Sequence, residues 1–267
     1  MAALLASGEI GIGGGLAEWL AASGFAFLLI FARVGAVVTA LPGLSAVFVS
    51  IRIRLIIALA LSLLLLPLLG AQLPPLPATA IALALILLPE IVIGLFIGFI
   101  PRAIVAALHM AGTFTALSVS LANALVQDPV ADQQTSTIAG LFGTIGLVLI
   151  FVTDLHHLML EAIVYSYTVF PIGLPLPAGD FADAATRILG ESMALGLQLA
   201  APFVLVGFIY NFGLGLLGRL MPQLPVFFFG LPVQISLQLW ALMLTLSGIM
   251  LVFLTRFGDL LAPLAGR

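Results

Sequence analysis

Apolar residues run along this chain in long blocks, without the strict alternation of a strand or the one-sided stripe of a soluble helix. A helix that crosses a bilayer needs about 20 mostly apolar residues. Seven blocks approach or exceed that length: 19–41, 53–69, 78–100, 103–126, 135–155, 193–220 and 226–253. The fifth has a natural continuation to Tyr167. Pro42-Gly43 closes the first block, Gly70 with Pro74-Pro75-Leu76-Pro77 the second, and Pro101-Arg102 the third. The fourth is less apolar and rich in Ala, Ser, Thr and Gly. The pattern predicts an all-α polytopic membrane protein of about six to seven hydrophobic helices, arranged as packed hairpins.

Residues 1–18 carry Glu9 and Glu18 but no basic residue, and Gly11, Gly13, Gly14 and Gly15 interrupt them. A cleaved secretory signal has a positive start, an apolar stretch and a small-residue cleavage site. This segment reads instead as a loosely ordered leader that stays on the protein.

Composition sharpens the membrane reading. Residues of the AVILMFWYC set make up 63% of the 267 positions, and Asp, Glu, Lys and Arg only 7%. A soluble domain is roughly 25% charged, so this chain lacks the polar surface to cover a water-soluble globule. Its eight basic residues are all Arg, and with eleven acidic ones the net charge is -3. That offers no basic field for nucleic acid. With no Cys, disulfides and thiolate chemistry are excluded.

Arginines in short loops favour the cytoplasmic side. Placing Arg52 and Arg54 inside, with seven crossings, also puts Arg102, Arg187, Arg256 and Arg267 inside and Arg219 outside. The acidic loop with Asp128 and Asp132 then falls outside. The arrangement has an outside N-terminus and an inside C-terminus, and it depends on the fourth block crossing.

No repeat of 20–50 residues stands out. The stretch 171–190, with three Pro, Gly173, Gly179, Asp180, Asp183 and Arg187, divides the chain. It separates a larger part, 19–180, from a C-terminal helical hairpin, 190–256. That hairpin turns near Arg219, Pro222, Gln223 and Pro225.

Ionisable groups within apolar segments are costly and mark functional or assembly positions. Arg33 sits in the first block and Glu90 in the third. One reading is an ion pair, between them or with a neighbouring subunit. Another is an ion-coupled transporter built on the two. His156 and His157 adjoin Asp154, but neighbours at i and i+1 point to different helix faces. His157 and Glu161 share a face, yet two ligands fall short of the three or more protein ligands of zinc sites. His109 is isolated. The sequence therefore predicts no catalytic residue, no cofactor and no metal. Gly94-x-x-x-Gly98 offers a small-residue face for close helix packing. There is no phosphate-binding G-x-x-x-x-G-K-S/T and no H-E-x-x-H.

With these positions noted, the chain resembles the FliR family, flagellar biosynthetic proteins of the type III export gate, related to the injectisome T component. The matching pieces come in order: Ala32-Arg33-Val34-Gly35, Pro42-Gly43, Val49-Ser50-Ile51-Arg52-Ile53-Arg54, Glu90 with Gly94 and Gly98, Asp128-Pro129, His156-His157, Ser166-Tyr167 and Pro171-Ile172-Gly173. The most specific is 214–232, LGLLGRLMPQLPVFFFGLP. One departure is Asp154-Leu155, where the family usually has Gly nearby.

The resemblance implies a structural, non-enzymatic subunit: a FliP-like part followed by a FliQ-like hairpin, joined with FliP and FliQ in a gate. FlhB and FlhA are implied as neighbours, and unfolded flagellar subunits as cargo crossing the inner membrane at the flagellar basal body. It also implies a plug in the closed lumen, by position 119–134. That assigns a gating role to Val119, Leu121, Asn123, Leu125, Val126, Asp128 and Pro129. Arg33, Glu90, His156 and His157 are the polar positions expected to serve assembly within the lipid membrane.

Overall fold

The computed structural model describes residues 12–46, 49–69, 74, 76–77, 79–118, 125–128, 133–173, 178–221, 223 and 226–267. Within them the order is α1 (Ile12–Ala40), α2 (Ile51–Leu69), α3 (Ala80–Ser118), β1 (Leu125–Asp128), β2 (Gln133–Ser136), α4 (Thr137–Val152), α5 (His156–Val169), α6 (Ala178–Leu220) and α7 (Val226–Leu261). A 3-10 turn, Ala262–Ala265, follows. Five helices are long and apolar enough to cross a membrane. The count is six if α4 and α5, which meet at a 72° bend, act as one broken span. The protein is an all-α polytopic membrane protein, with one small antiparallel ribbon in which Val126 pairs with Thr135.

The blocks seen in the sequence are grouped differently in the structure. The third and fourth fuse into α3, which runs through both Pro89 and Pro101. A proline removes one backbone donor, and packed neighbours absorb that loss in membrane helices; Pro101 is buried. The 39 residues of α3 make a rod of about 58 Å, nearly twice the ~30 Å hydrocarbon thickness. The crossing expected between 103 and 126 is therefore the second half of one helix.

Helix α6 starts at Ala178, well before the expected 193. Asp180 in its first turn complements the positive end of the helix dipole. Phe181, Ile188, Leu195 and Leu199 are buried on one face, while Asp183 and Arg187 are exposed on the other. So part of the 171–190 divide is an amphipathic helix. Helix α1 likewise begins at Ile12, inside the expected leader. The penalty of about 1 kcal/mol per glycine does not stop the helix there.

The long α3 is the hub, with α1, α4 and α6 packed around it. Close approach depends on glycines. A Cβ at Gly94 would strike the Arg33 carbonyl oxygen and, at 2.7 Å, the Ala36 methyl; one at Gly98 would come within 2.6 Å of the Ala40 methyl. Gly112 lies against the backbone of Ala139 in the same way. These contacts press α1 and α4 onto α3.

Candidate functional site

The α1–α3 crossing carries the most heavily bonded side chain in the interior. Arg33 on α1 is 0% exposed and Glu90 on α3 is 1% exposed. Arg33 Nε donates to Glu90 Oε2 at 2.7 Å. The remaining guanidinium edges are also used. One terminal nitrogen donates to the Ser166 carbonyl at 3.1 Å and the Ser166 hydroxyl at 3.3 Å, and the other to the Phe170 carbonyl at 2.8 Å. The Tyr167 ring lies 4.1 Å from the guanidinium carbon, a cation–π arrangement. The Tyr167 hydroxyl in turn donates to the Ile30 carbonyl.

One charge thus ties together α1, α3 and the last turn of α5. A buried charge is tolerable when it is paired and hydrogen-bonded, and each of the three guanidinium nitrogens has a partner here. Glu90 has no opening to solvent, so the arrangement is a clamp and gives no support to a proton relay. Ser166, Tyr167 and Phe170 had no assigned role in the sequence. The available signal was stoichiometric: a guanidinium has five donors, and one carboxylate cannot occupy them all.

A second polar tie holds the C-terminal hairpin. Gln234 Nε2 donates to the Ser118 carbonyl at the end of α3, and Gln238 Nε2 to the Phe203 carbonyl. The Tyr210 hydroxyl donates to the Gly230 carbonyl at 2.8 Å, bridging α6 and α7 near their turn. Arg219 is in the last turn of α6 and is exposed, as is Gln223. Pro222 and Pro225 lie outside the described residues.

Of the expected plug, Leu125, Val126 and Asp128 belong to β1, with Leu125 paired to Ser136 and Asp128 to Gln133. Val119, Leu121, Asn123 and Pro129 lie outside the described residues. Ser118, the last residue of α3, immediately precedes the segment, so its entry is held by the Gln234 bond.

His156 and His157 sit at the 72° bend and do not meet the Arg33 clamp. Their rings are 4.2 Å apart between centroids, and His156 stacks on Phe151 at 5.2 Å. Asp154 faces them. One ligand atom from each of Asp154, His156 and His157 lies within 4.8 Å of the others. Glu161, the other carboxylate near the pair, is bonded to Arg267 at 2.7 Å.

The outer faces are strongly apolar. Phe208, Phe212, Trp240 and Met243 are each at least 65% exposed on α6 and α7. Among the described residues, a Cβ added at Gly213, Gly215 or Gly218 would meet no atom within 4 Å beyond its own stretch of helix. An apolar groove of about 390 Å³ opens between α1, α2 and α3, lined by Phe31, Gly35, Thr39, Leu55 and Leu95, with Arg54.

Comparison with known proteins covers nearly all of this architecture. Residues 25–260 match the family described as bacterial export proteins, family 1. The flagellar biosynthetic protein FliR of Caulobacter vibrioides is 38% identical over 233 residues, covering 87% of this chain and 93% of that protein. FliR of Bacillus subtilis is 31% identical over 61% of this chain and 64% of its own length. The Yop proteins translocation protein T of Yersinia pestis is 32% identical over the same shares.

Proposed function

Because the chain belongs to the FliR family of bacterial export proteins, we propose that it is a structural, non-enzymatic subunit of a flagellar type III protein export gate in the inner membrane. The observation that carries this reading is the family match across 25–260, which takes in both the Arg33 clamp and the C-terminal hairpin. Its partners on this reading are FliP and FliQ, with FlhB and FlhA beside them and unfolded flagellar proteins as cargo. Residues 19–180 play the FliP-like part and 190–256 the FliQ-like hairpin.

The unpartnered surfaces support an assembly role. Helices of about 58 and 65 Å in α3 and α6 outrun a bilayer, so their ends need protein or water around them. The exposed aromatics of α6 and α7 and the open glycines at 213, 215 and 218 offer apolar, closely approachable faces. Sibling helices fit such faces. The 119–134 segment acts as the plug that closes the lumen.

The arginines favour a five-span insertion in which α4 and α5 re-enter on one side. Arg102 lies 22 residues beyond Ala80, about 33 Å along α3, which is one membrane thickness. Arg52, Arg54, Arg102, Arg187, Arg256 and Arg267 then share the cytoplasmic side, and Arg219 alone lies opposite. The 119–134 segment moves to the cytoplasmic side, the reverse of the seven-crossing expectation.

The test is complementation. Deleting the gene abolishes secretion of hook and filament subunits, and this chain restores it. Normal secretion in the deletion strain contradicts the proposal.

A further inference from the structure

We propose that Asp154, His156 and His157 form a binding site for one divalent transition-metal ion of the zinc class, at the bend between α4 and α5. The three residues each present a ligand atom, and these atoms lie within 4.8 Å of one another. Around a tetrahedral ion with bonds of ~2.0–2.2 Å, ligand atoms sit about 3.3 Å apart. Small rotations of side chains close that difference, and two of the three are exposed enough to make them: His157 is 61% exposed and Asp154 77%. His157 Nδ1 also contacts the Asp154 carbonyl oxygen at 3.2 Å, a contact that the ion would replace or that leaves Nε2 to ligate. His157 Nδ1 is already 3.8 Å from Asp154 Oδ1.

Two further observations set this cluster apart from a chance surface grouping. The first is His156 Nδ1, which is shielded from solvent and has no hydrogen-bond partner among the described residues. A buried ring nitrogen without a partner is costly, and a metal ion or an ordered donor relieves that cost. Stacking on Phe151 fixes the ring plane. The second is the backbone of Asp154, at φ 59°, the one positive value at a non-glycine residue among those described. A glycine takes this conformation without cost, whereas another residue spends about 1 kcal/mol there. The strained turn brings the carboxylate round to the two imidazoles on the next helix.

Adjacent histidines on a regular helix diverge. Here they stand at the first two positions of α5, just past the turn, with ring centroids only 4.2 Å apart. Two imidazoles and a carboxylate suit Zn²⁺, Ni²⁺ or Cu²⁺ and disfavour Mg²⁺ and Ca²⁺, which prefer all-oxygen shells. Three protein ligands leave the fourth position to water. Because the ligands bracket the bend, the bound ion clamps the start of α5 to the end of the α4 turn.

The test uses the full-length chain, carried on a tag without histidines and kept in detergent with its co-purifying subunits. Equilibrium dialysis against Zn²⁺ should show one specific ion per chain. Asp154→Asn, which tolerates the backbone conformation, and His157→Ala should each weaken binding about tenfold or more. Addition of Cu²⁺ to the unaltered chain should give an electron paramagnetic resonance signal with two coordinated nitrogens, a readout that needs no variant. Equal Zn²⁺ uptake by the chain and by the Asp154→Asn/His157→Ala variant overturns the proposal. So does a copper signal with fewer than two nitrogens.

Discussion

Arg33 and Glu90, 57 positions apart in sequence, meet at 2.7 Å with neither side chain reaching solvent. The pair lies where α1 presses onto the Gly94–Gly98 face of α3. Packing and electrostatics therefore support each other: the glycines bring the helices close enough for the ion pair, and the pair holds them in register.

Removing one partner of a buried pair strands the other. Glu90→Ala is expected to destabilise the chain by about 3–5 kcal/mol, read as a lowered thermal unfolding midpoint in detergent. Glu90→Gln keeps an oxygen to accept from Arg33 Nε and should cost much less. It should also retain secretion. Loss of secretion in a stably assembled Glu90→Gln variant would instead restore the ion-coupled reading.

The exposed pair offers a contrast. Arg267 and Glu161 are also 2.7 Å apart, but their side chains are 65% and 38% exposed. Exposed pairs contribute about 0–1 kcal/mol. Arg267→Ala should leave the unfolding midpoint nearly unchanged, and a loss comparable to that of Glu90→Ala would contradict the burial argument.

Two glycines within helices, one packed and one open, should respond in opposite ways. Gly94→Ala drives a methyl group into the Arg33 carbonyl and Ala36, and overpacking of this kind costs about 1–3 kcal/mol. Gly248→Ala meets nothing within 4 Å and should be neutral or stabilising by up to about 1 kcal/mol. Unfolding of the two variants side by side checks the difference. Equal effects would mean that the α1–α3 approach does not limit stability.

Insertion can be mapped without background, because the chain contains no Cys. In the five-span arrangement, Thr137→Cys and Asp183→Cys react with a membrane-impermeant thiol reagent from the cytoplasmic side, and Gln223→Cys from the other. If α4 and α5 cross as one span, Thr137→Cys and Asp183→Cys label from opposite sides.

The plug assignment predicts leakage. Deleting 119–134 should raise small-solute permeability of cells carrying the assembled gate. Unchanged permeability at normal assembly would remove this segment from the closure.

The apolar blocks already made the membrane class and the C-terminal hairpin legible in the sequence. Positions such as Arg33, Glu90 and Gly94 stood out because charge and glycine are conspicuous in apolar helices. What sequence could not supply was contact at long separation. Ser166 and Phe170 serve Arg33 through backbone carbonyls, and any residue type carries one. Pro101 looked like a terminator because local propensity argues for one, yet burial against neighbours lets α3 continue. The meeting of Asp154 with the paired histidines depends on one backbone angle, φ 59°, which spacing alone does not encode.

The central claim is that this chain is one subunit of a multi-subunit export gate. Its most direct test is to purify the tagged chain from its native membranes and weigh the intact complex by mass spectrometry. The account predicts co-purification with FliP and FliQ at a fixed ratio, in a particle several times the 27.8 kDa of the chain. Recovery of the chain alone, or only as copies of itself, under detergent conditions that preserve other membrane complexes would contradict it.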